Sequence, residues 1–183
     1  MRLGERHTVK DYEALPEGSP YQLIMGELVM SPAPNPLHQE VLKRMFLEFH
    51  EAIERKKLGK VFFAPIDLYM DEENVFQPDM VVLLRGNIQK LTEKGIEGVP
   101  DLVVEVLSPS TAYYDLKEKK EVYERKGVKE YWIVDPKVEE VEVYVNEGGH
   151  FRLFSHARDE GRVRSHTVEG LEIDVKELFK EVL

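Results

Sequence analysis

Asp79 and Glu105 stand where a carboxylate is costly. Asp79 follows Pro78 and heads Met80–Leu84, the longest purely apolar run in the chain. Glu105 interrupts Val103-Val104-Glu105-Val106-Leu107. A charge in so apolar a run is expensive unless it is paired or bound to a cation. The plainer reading of Glu105 is an ion pair with a buried Lys or Arg, or a strand end reaching solvent. The chemical reading starts from spacing. Side chains alternate along a strand, so Glu105 shares a face with Val103 and Leu107. Ser108-Pro109-Ser110-Thr111 ends that strand, and the following segment carries Asp115, Lys119 and Tyr123 at i, i+4 and i+8. On a helix these form one stripe. A strand running directly into a helix can bring Lys119 back beside Glu105. Two carboxylates and a lysine would then converge. Such oxygen ligands suit a hard cation such as Mg²⁺, completed by water and substrate phosphate, and the lysine could hold or polarise an attacking water. Against this, Lys117-Glu118-Lys119-Lys120 also reads as a solvated face, and Tyr123 and Trp132 read as packing residues.

Composition narrows the alternatives. The chain has 183 residues and no cysteine, which excludes disulfides, thiolate metal sites and cysteine nucleophiles. It fits a reducing cytoplasm, the expected compartment. With 25 Lys plus Arg against 35 Asp plus Glu, the formal charge is −10. That argues against nonspecific adhesion to nucleic acid or membrane, though not against a local basic surface or a metal-bridged phosphate. No apolar run approaches the ~18 residues of a membrane span, and the charged first ten residues offer no secretory signal. Phosphate-binding loops of the Gly-x-x-x-x-Gly-Lys type, Gly-x-Ser-x-Gly elbows and His-Glu-x-x-His helices are absent.

The elements that must position these residues follow from pattern. The length suggests one domain, with residues 1–20 as a covering segment. Residues 21–24 and 27–30 flank Met25-Gly26 and predict a tight hairpin. Asn35 can cap a helix whose first position is Pro36, with Leu37, Val41, Leu42, Met45, Phe49 and Ile53 on its inner face and a stop at Gly59. Short strands follow at 61–63, 66–70 and 75–84, the last bent or placed at an edge by Pro78. Residues 91–95 suggest a helical turn. A buried strand at 101–107, a helix at 113–126 ended by Gly127, and strands at 130–134 and 140–145 come next. A late antiparallel hairpin of 151–154 with 162–166, and a helix at 174–182, complete a mixed α/β domain with a central sheet.

Gln77-Pro78-Asp79, Glu105-Val106-Leu107-Ser108-Pro109-Ser110-Thr111, residues 115–119 and Gly127-Val128-Lys129-Glu130-Tyr131-Trp132-Ile133-Val134-Asp135-Pro136 together resemble the Uma-type family of endonuclease-like proteins, part of the PD-(D/E)XK superfamily. The similarity extends back through residues 21–38. The resemblance implies a single restriction-endonuclease-like domain over residues 1–183, a mixed central β-sheet flanked by helices. It implies a DNA endonuclease dependent on Mg²⁺ or Mn²⁺. Asp79 and Glu105 match the two acids and would hold the metal, with the Val106 carbonyl as a further ligand. The superfamily's usual lysine falls at Leu107, a departure; Lys119 matches a lysine supplied from the next helix. Glu27 matches a further acid that would help place a metal, and His38 a position where the family often has histidine. A homodimer fits by analogy with nucleases that cut two strands with two subunits. Two alternatives stay open: a non-catalytic nucleic-acid- or protein-binding module on the same fold, and a hydrolase of another phosphate ester.

Overall fold

The computed structural model describes residues 4–182; the first three residues of the covering segment, and Leu183, lie outside them. A short helix, α1 (Val9–Glu13), precedes the hairpin of β1 (Tyr21–Ile24) and β2 (Glu27–Met30), which turns at Met25-Gly26. Helix α2 (Pro36–Phe49) begins as its capping sequence requires: the Asn35 side chain accepts from the His38 backbone N–H, and Pro36 opens the first turn. The helix continues as a wider π-type turn, His50–Glu54.

Strands β3 (Gly59–Phe63), β4 (Leu68–Asp71), β5 (Asn74–Phe76) and β6 (Met80–Leu84) come next. The interruption at Pro78 has a clear meaning. β5 belongs to a sheet that will hold five strands, β6 to one that will hold six, and Pro78-Asp79 is the crossing between them. The expected turn at 91–95 lies earlier, as a 3₁₀ helix at Arg85–Lys90, because Leu91 bridges to Ile96 instead. Then follow β7 (Ile96–Glu97), β8 (Leu102–Val106), a π-type turn (Tyr114–Glu118) and α3 (Lys119–Lys126). Gly127 ends α3 in the left-handed conformation (φ 86°) that favours glycine.

The remaining elements are β9 (Glu130–Asp135), β10 (Glu140–Glu147), β11 (His150–Arg158), β12 (Arg162–Arg164), β13 (Glu172–Asp174) and α4 (Val175–Phe179). Here the expected late hairpin is corrected. Gly148-Gly149 turns β10 straight into β11, so residues 151–154 pair with β10. β12 pairs instead with β13, burying Val163 and Ile173 together.

The larger sheet runs β11-β10-β9-β8-β6-β3, parallel only between β8 and β9. The smaller runs β2-β1-β5-β4-β7. β8 is buried on both faces, which is why its sequence is nearly continuous in valine and leucine. Its even-numbered side chains join Met45 and Phe49 of α2, Trp132 and α4 in one core. Val103 points the other way, into a second core with Val122 and Tyr123 of α3 and Phe76. Glu105 shares that second face.

Candidate active site

Backbone register builds the site. Met80 lies opposite Val104, so the crossing residue Asp79 falls beside the end of β8. There Asp79 Oδ2 accepts from the Val106 N–H at 2.7 Å. Gln77, two residues earlier, is pinned from both sides. Its N–H donates to Gln22 Oε1 at 2.7 Å and its side-chain amide donates to Asp67 at 2.9 Å. The Gln-Pro-Asp segment is thus held by three elements before Asp79 does anything chemical.

From the α3 side, Lys119 Nζ reaches Glu105 Oε1 at 2.5 Å and Asp115 Oδ1 at 3.2 Å. Each of the three residues is only 2% exposed. Tyr123, one turn further, donates its hydroxyl to Glu105 Oε1 at 3.0 Å, and Tyr131 donates to the Asp115 carbonyl at 2.7 Å. The predicted stripe of Asp115, Lys119 and Tyr123 is therefore a buried network, and Lys119 is not on a solvated face. The usual lysine position, Leu107, packs into the second core, and the cation arrives from α3.

His38 comes from the first turn of α2, with Nε2 3.3 Å from Asp79 Oδ1. Its Nδ1 is buried without a hydrogen-bond partner among the described residues. Glu27 does not join the group. It is exposed on β2, outside the cavity lining, where its charge, after burial, helps push the Glu118 carboxyl up.

Asp79, Glu105, Asp115, Lys119 and His38 line a single cavity of about 710 Å³. Its walls are the proline-rich strap 31–35 and the loop 108–111. The electrostatics follow from burial. Removal from water pushes the Glu105 and Asp115 carboxyls up, against the pull of Lys119. Burial also opposes charge on Lys119, but the two carboxylates outweigh it and hold the ammonium above its ordinary value. At His38 burial is likewise outweighed, here by Asp79 with the Val106 backbone adding to it, and the ring is raised.

The donor set fits a hard cation in one specific way. Among the described residues no three acidic or histidine side chains converge to hold a metal. The Asp79 and Glu105 oxygens would therefore be completed by backbone, water and substrate oxygens, as Mg²⁺ sites commonly are.

The two-sheet arrangement, with acids on β8 and on the crossing into β6, defines a restriction-endonuclease-like fold. The chain belongs to the Uma2 family, described as "Putative restriction endonuclease", whose sequence model matches residues 9–176. Among solved structures it resembles "a putative nuclease belonging to DUF820" from Anabaena variabilis ATCC 29413. The TM-score is 0.80 at 20% identity, over 96% of this chain and 99% of that one. The type IIG restriction endonuclease BpuSI is a distant match, with TM-score 0.37 and 16% identity over 67% of this chain and 13% of that one. No curated protein sequence matches the chain.

The sequence missed Tyr123 as a hydrogen-bond donor to Glu105 and Tyr131 as the anchor of Asp115. Tyr131 sits in an apolar strand where tyrosine packs as phenylalanine does, and Tyr123 sits among the charged residues of α3, where nothing local marks its partner. A hydroxyl on the buried stripe was the only available signal.

Proposed function

We propose that this protein is a Mg²⁺- or Mn²⁺-dependent DNA endonuclease. The observation that carries the proposal is the convergence of Asp79 and Glu105 on one cavity, with Lys119 seated on Glu105. Asp79 and Glu105, with the Val106 carbonyl, would hold the ion. When bound, it would supply Lewis-acid charge to the scissile phosphate and acidify an attacking water.

The chain's own groups do the rest. The Val106 N–H fixes one oxygen of Asp79. Tyr123 and Lys119 fix one oxygen of Glu105, leaving Oε2 without a hydrogen bond among the described residues. Lys119, expected to hold or polarise an attacking water, instead acts through Glu105. An ammonium locked between two carboxylates positions Glu105 and offsets charge; it does not accept a proton. His38 holds the second oxygen of Asp79. Glu27 is given no part.

The test is plasmid nicking in Mg²⁺ or Mn²⁺ by the wild type, Asp79→Asn and Glu105→Gln, with EDTA as control. Cleavage that needs the metal and both acids is expected. Undiminished cleavage by either variant would overturn the assignment. Binding of DNA with no cleavage by the wild type would favour a non-catalytic module on the same fold.

A further inference from the structure

The cavity has no free cation for a phosphate backbone. Lys119 is the only lysine or arginine in its lining, and it is committed to Glu105 and Asp115. Affinity for DNA comes from lysine and arginine on phosphates. Such residues gather elsewhere. Arg55, Lys56 and Lys57 lead into β3, Lys60 lies on it, and Arg85 follows the end of β6 that pairs with the start of β3. All are exposed, and among the described residues none is paired with an acid. They stand at the wrong end of the strand for their own cavity, whose wall residues Ala64 and Pro65 follow the far end of β3. At ~3.4 Å per residue the strand separates the two by about 17 Å, more than a lysine side chain spans.

β3 is also the outer strand of the larger sheet. The Leu58 carbonyl accepts from the Arg85 N–H, and the Ala64 N–H donates to the Asp79 carbonyl. Even-numbered residues therefore face β6, and the N–H and C=O groups of Gly59, Val61 and Phe63 point to the open edge. Among the described residues these groups have no partner. Phe63, 54% exposed, stands on that edge against Phe46, with ring centroids 5.0 Å apart, and Leu58 is exposed at its other end. The edge is complementary to itself. Antiparallel pairing with a second copy about a twofold axis at Val61 puts every open N–H opposite an open C=O. It sets Phe63 against the partner's Gly59, which has no side chain to obstruct the ring. It also sets Pro65 of the cavity wall against the partner's Lys57.

We infer that two copies of this chain pair through β3, and that Lys56 and Lys57 of each copy supply the phosphate contacts at the cavity of the other. The inference rests on the nuclease reading for the chemistry inside the cavity. The pairing and the lysines stand apart from the catalytic group.

Three measurements on the full chain test it. Analytical ultracentrifugation at micromolar concentration reads the assembly: the wild type should sediment as a dimer, and Phe63→Glu as a monomer with the circular dichroism of the wild type. DNA binding in Ca²⁺ reads the lysines: Lys56→Gln with Lys57→Gln should lower the salt slope by about 2 or more. Plasmid nicking by mixed variants reads the arrangement. At a salt concentration where the wild type nicks, neither Glu105→Gln nor the double lysine variant should do so alone. Their mixture should, because a mixed dimer holds one intact cavity facing intact lysines. A monomeric wild type, a dimer indifferent to Phe63→Glu, an unchanged salt slope, or a mixture no more active than its parts would overturn the inference. A dimer split by Phe63→Glu, with lysine-dependent DNA binding but no cleavage by the wild type, sinks the nuclease reading alone. Metal-dependent cleavage by a monomeric wild type sinks the pairing alone.

Discussion

Lys119 reaches across the junction of strand and helix to place Nζ 2.5 Å from Glu105 Oε1, with both side chains almost wholly out of water. Its second carboxylate, Asp115, lies one turn back at 3.2 Å. Lys119→Met would leave two buried carboxyls without their shared cation. Breaking a buried pair from one side costs about 3–5 kcal/mol, and urea denaturation should show a loss of that order. A variant as stable as wild type would mean that Glu105 and Asp115 do not depend on Lys119.

The Tyr123 hydroxyl is the other fixed contact of Glu105, at 3.0 Å. Tyr123→Phe keeps the ring in the second core and removes only the donor. A stability loss of about 1–2 kcal/mol is expected, with weaker Mn²⁺ binding in a calorimetric titration. Unchanged Mn²⁺ affinity would show that Tyr123 does not position Glu105.

Glu130 shows that a buried acid need not be catalytic. It is fully buried on β9 and accepts from Trp132 Nε1 and Ser165 Oγ at 2.7 Å, His166 N at 2.8 Å and Thr167 N at 2.9 Å. Three of the four donors come from the loop before β13, which also buries Val168 and Leu171 in the core. Glu130→Ala should cost more than ~3 kcal/mol, because several buried donors lose their partner at once. Differential scanning calorimetry measures this; a shift of under a degree would contradict it.

Asp101 gives a pH dependence. Burial raises its pKa, but Asn87, the Leu84 N–H and Lys129 outweigh that and hold it below the ordinary aspartate value. A depressed folded value means stability that is present above the unfolded pKa and lost as pH falls through the folded one. The stability gap between wild type and Asp101→Asn should therefore be wide near about pH 7 and narrow below about pH 3. Urea denaturation across that range measures it; a gap that widened in acid would contradict the sign.

Much of this site could be read before the structure. Asp79 and Glu105 stood out because a charge in an apolar strand demands a reason, and the i, i+4 stripe placed Lys119 beside Glu105. The same rule, applied to Glu130 ahead of Tyr131-Trp132-Ile133-Val134, would have flagged a second buried acid. Only its partners, thirty-five residues on in the loop before β13, show that its role is structural. Lys119 was harder. Its neighbours Lys117 and Lys120 give a solvated-looking run, and local charge pattern cannot reveal which lysine turns inward. The pairing of β12 is not legible locally: 151–154 and 162–166 are neighbours in sequence but pair with different strands. The Gly148-Gly149 turn had already committed β11 to β10.

The central claim is that Asp79 and Glu105 form one metal-dependent hydrolytic site. Calorimetric titration of Mn²⁺ into wild type and Glu105→Gln, with plasmid nicking followed in the same preparations, tests it most directly. Mn²⁺ binding in the wild type, weakened about tenfold or more in the variant together with loss of nicking, is the predicted result. Equal Mn²⁺ affinity in both proteins, or nicking that survives Glu105→Gln, would contradict it.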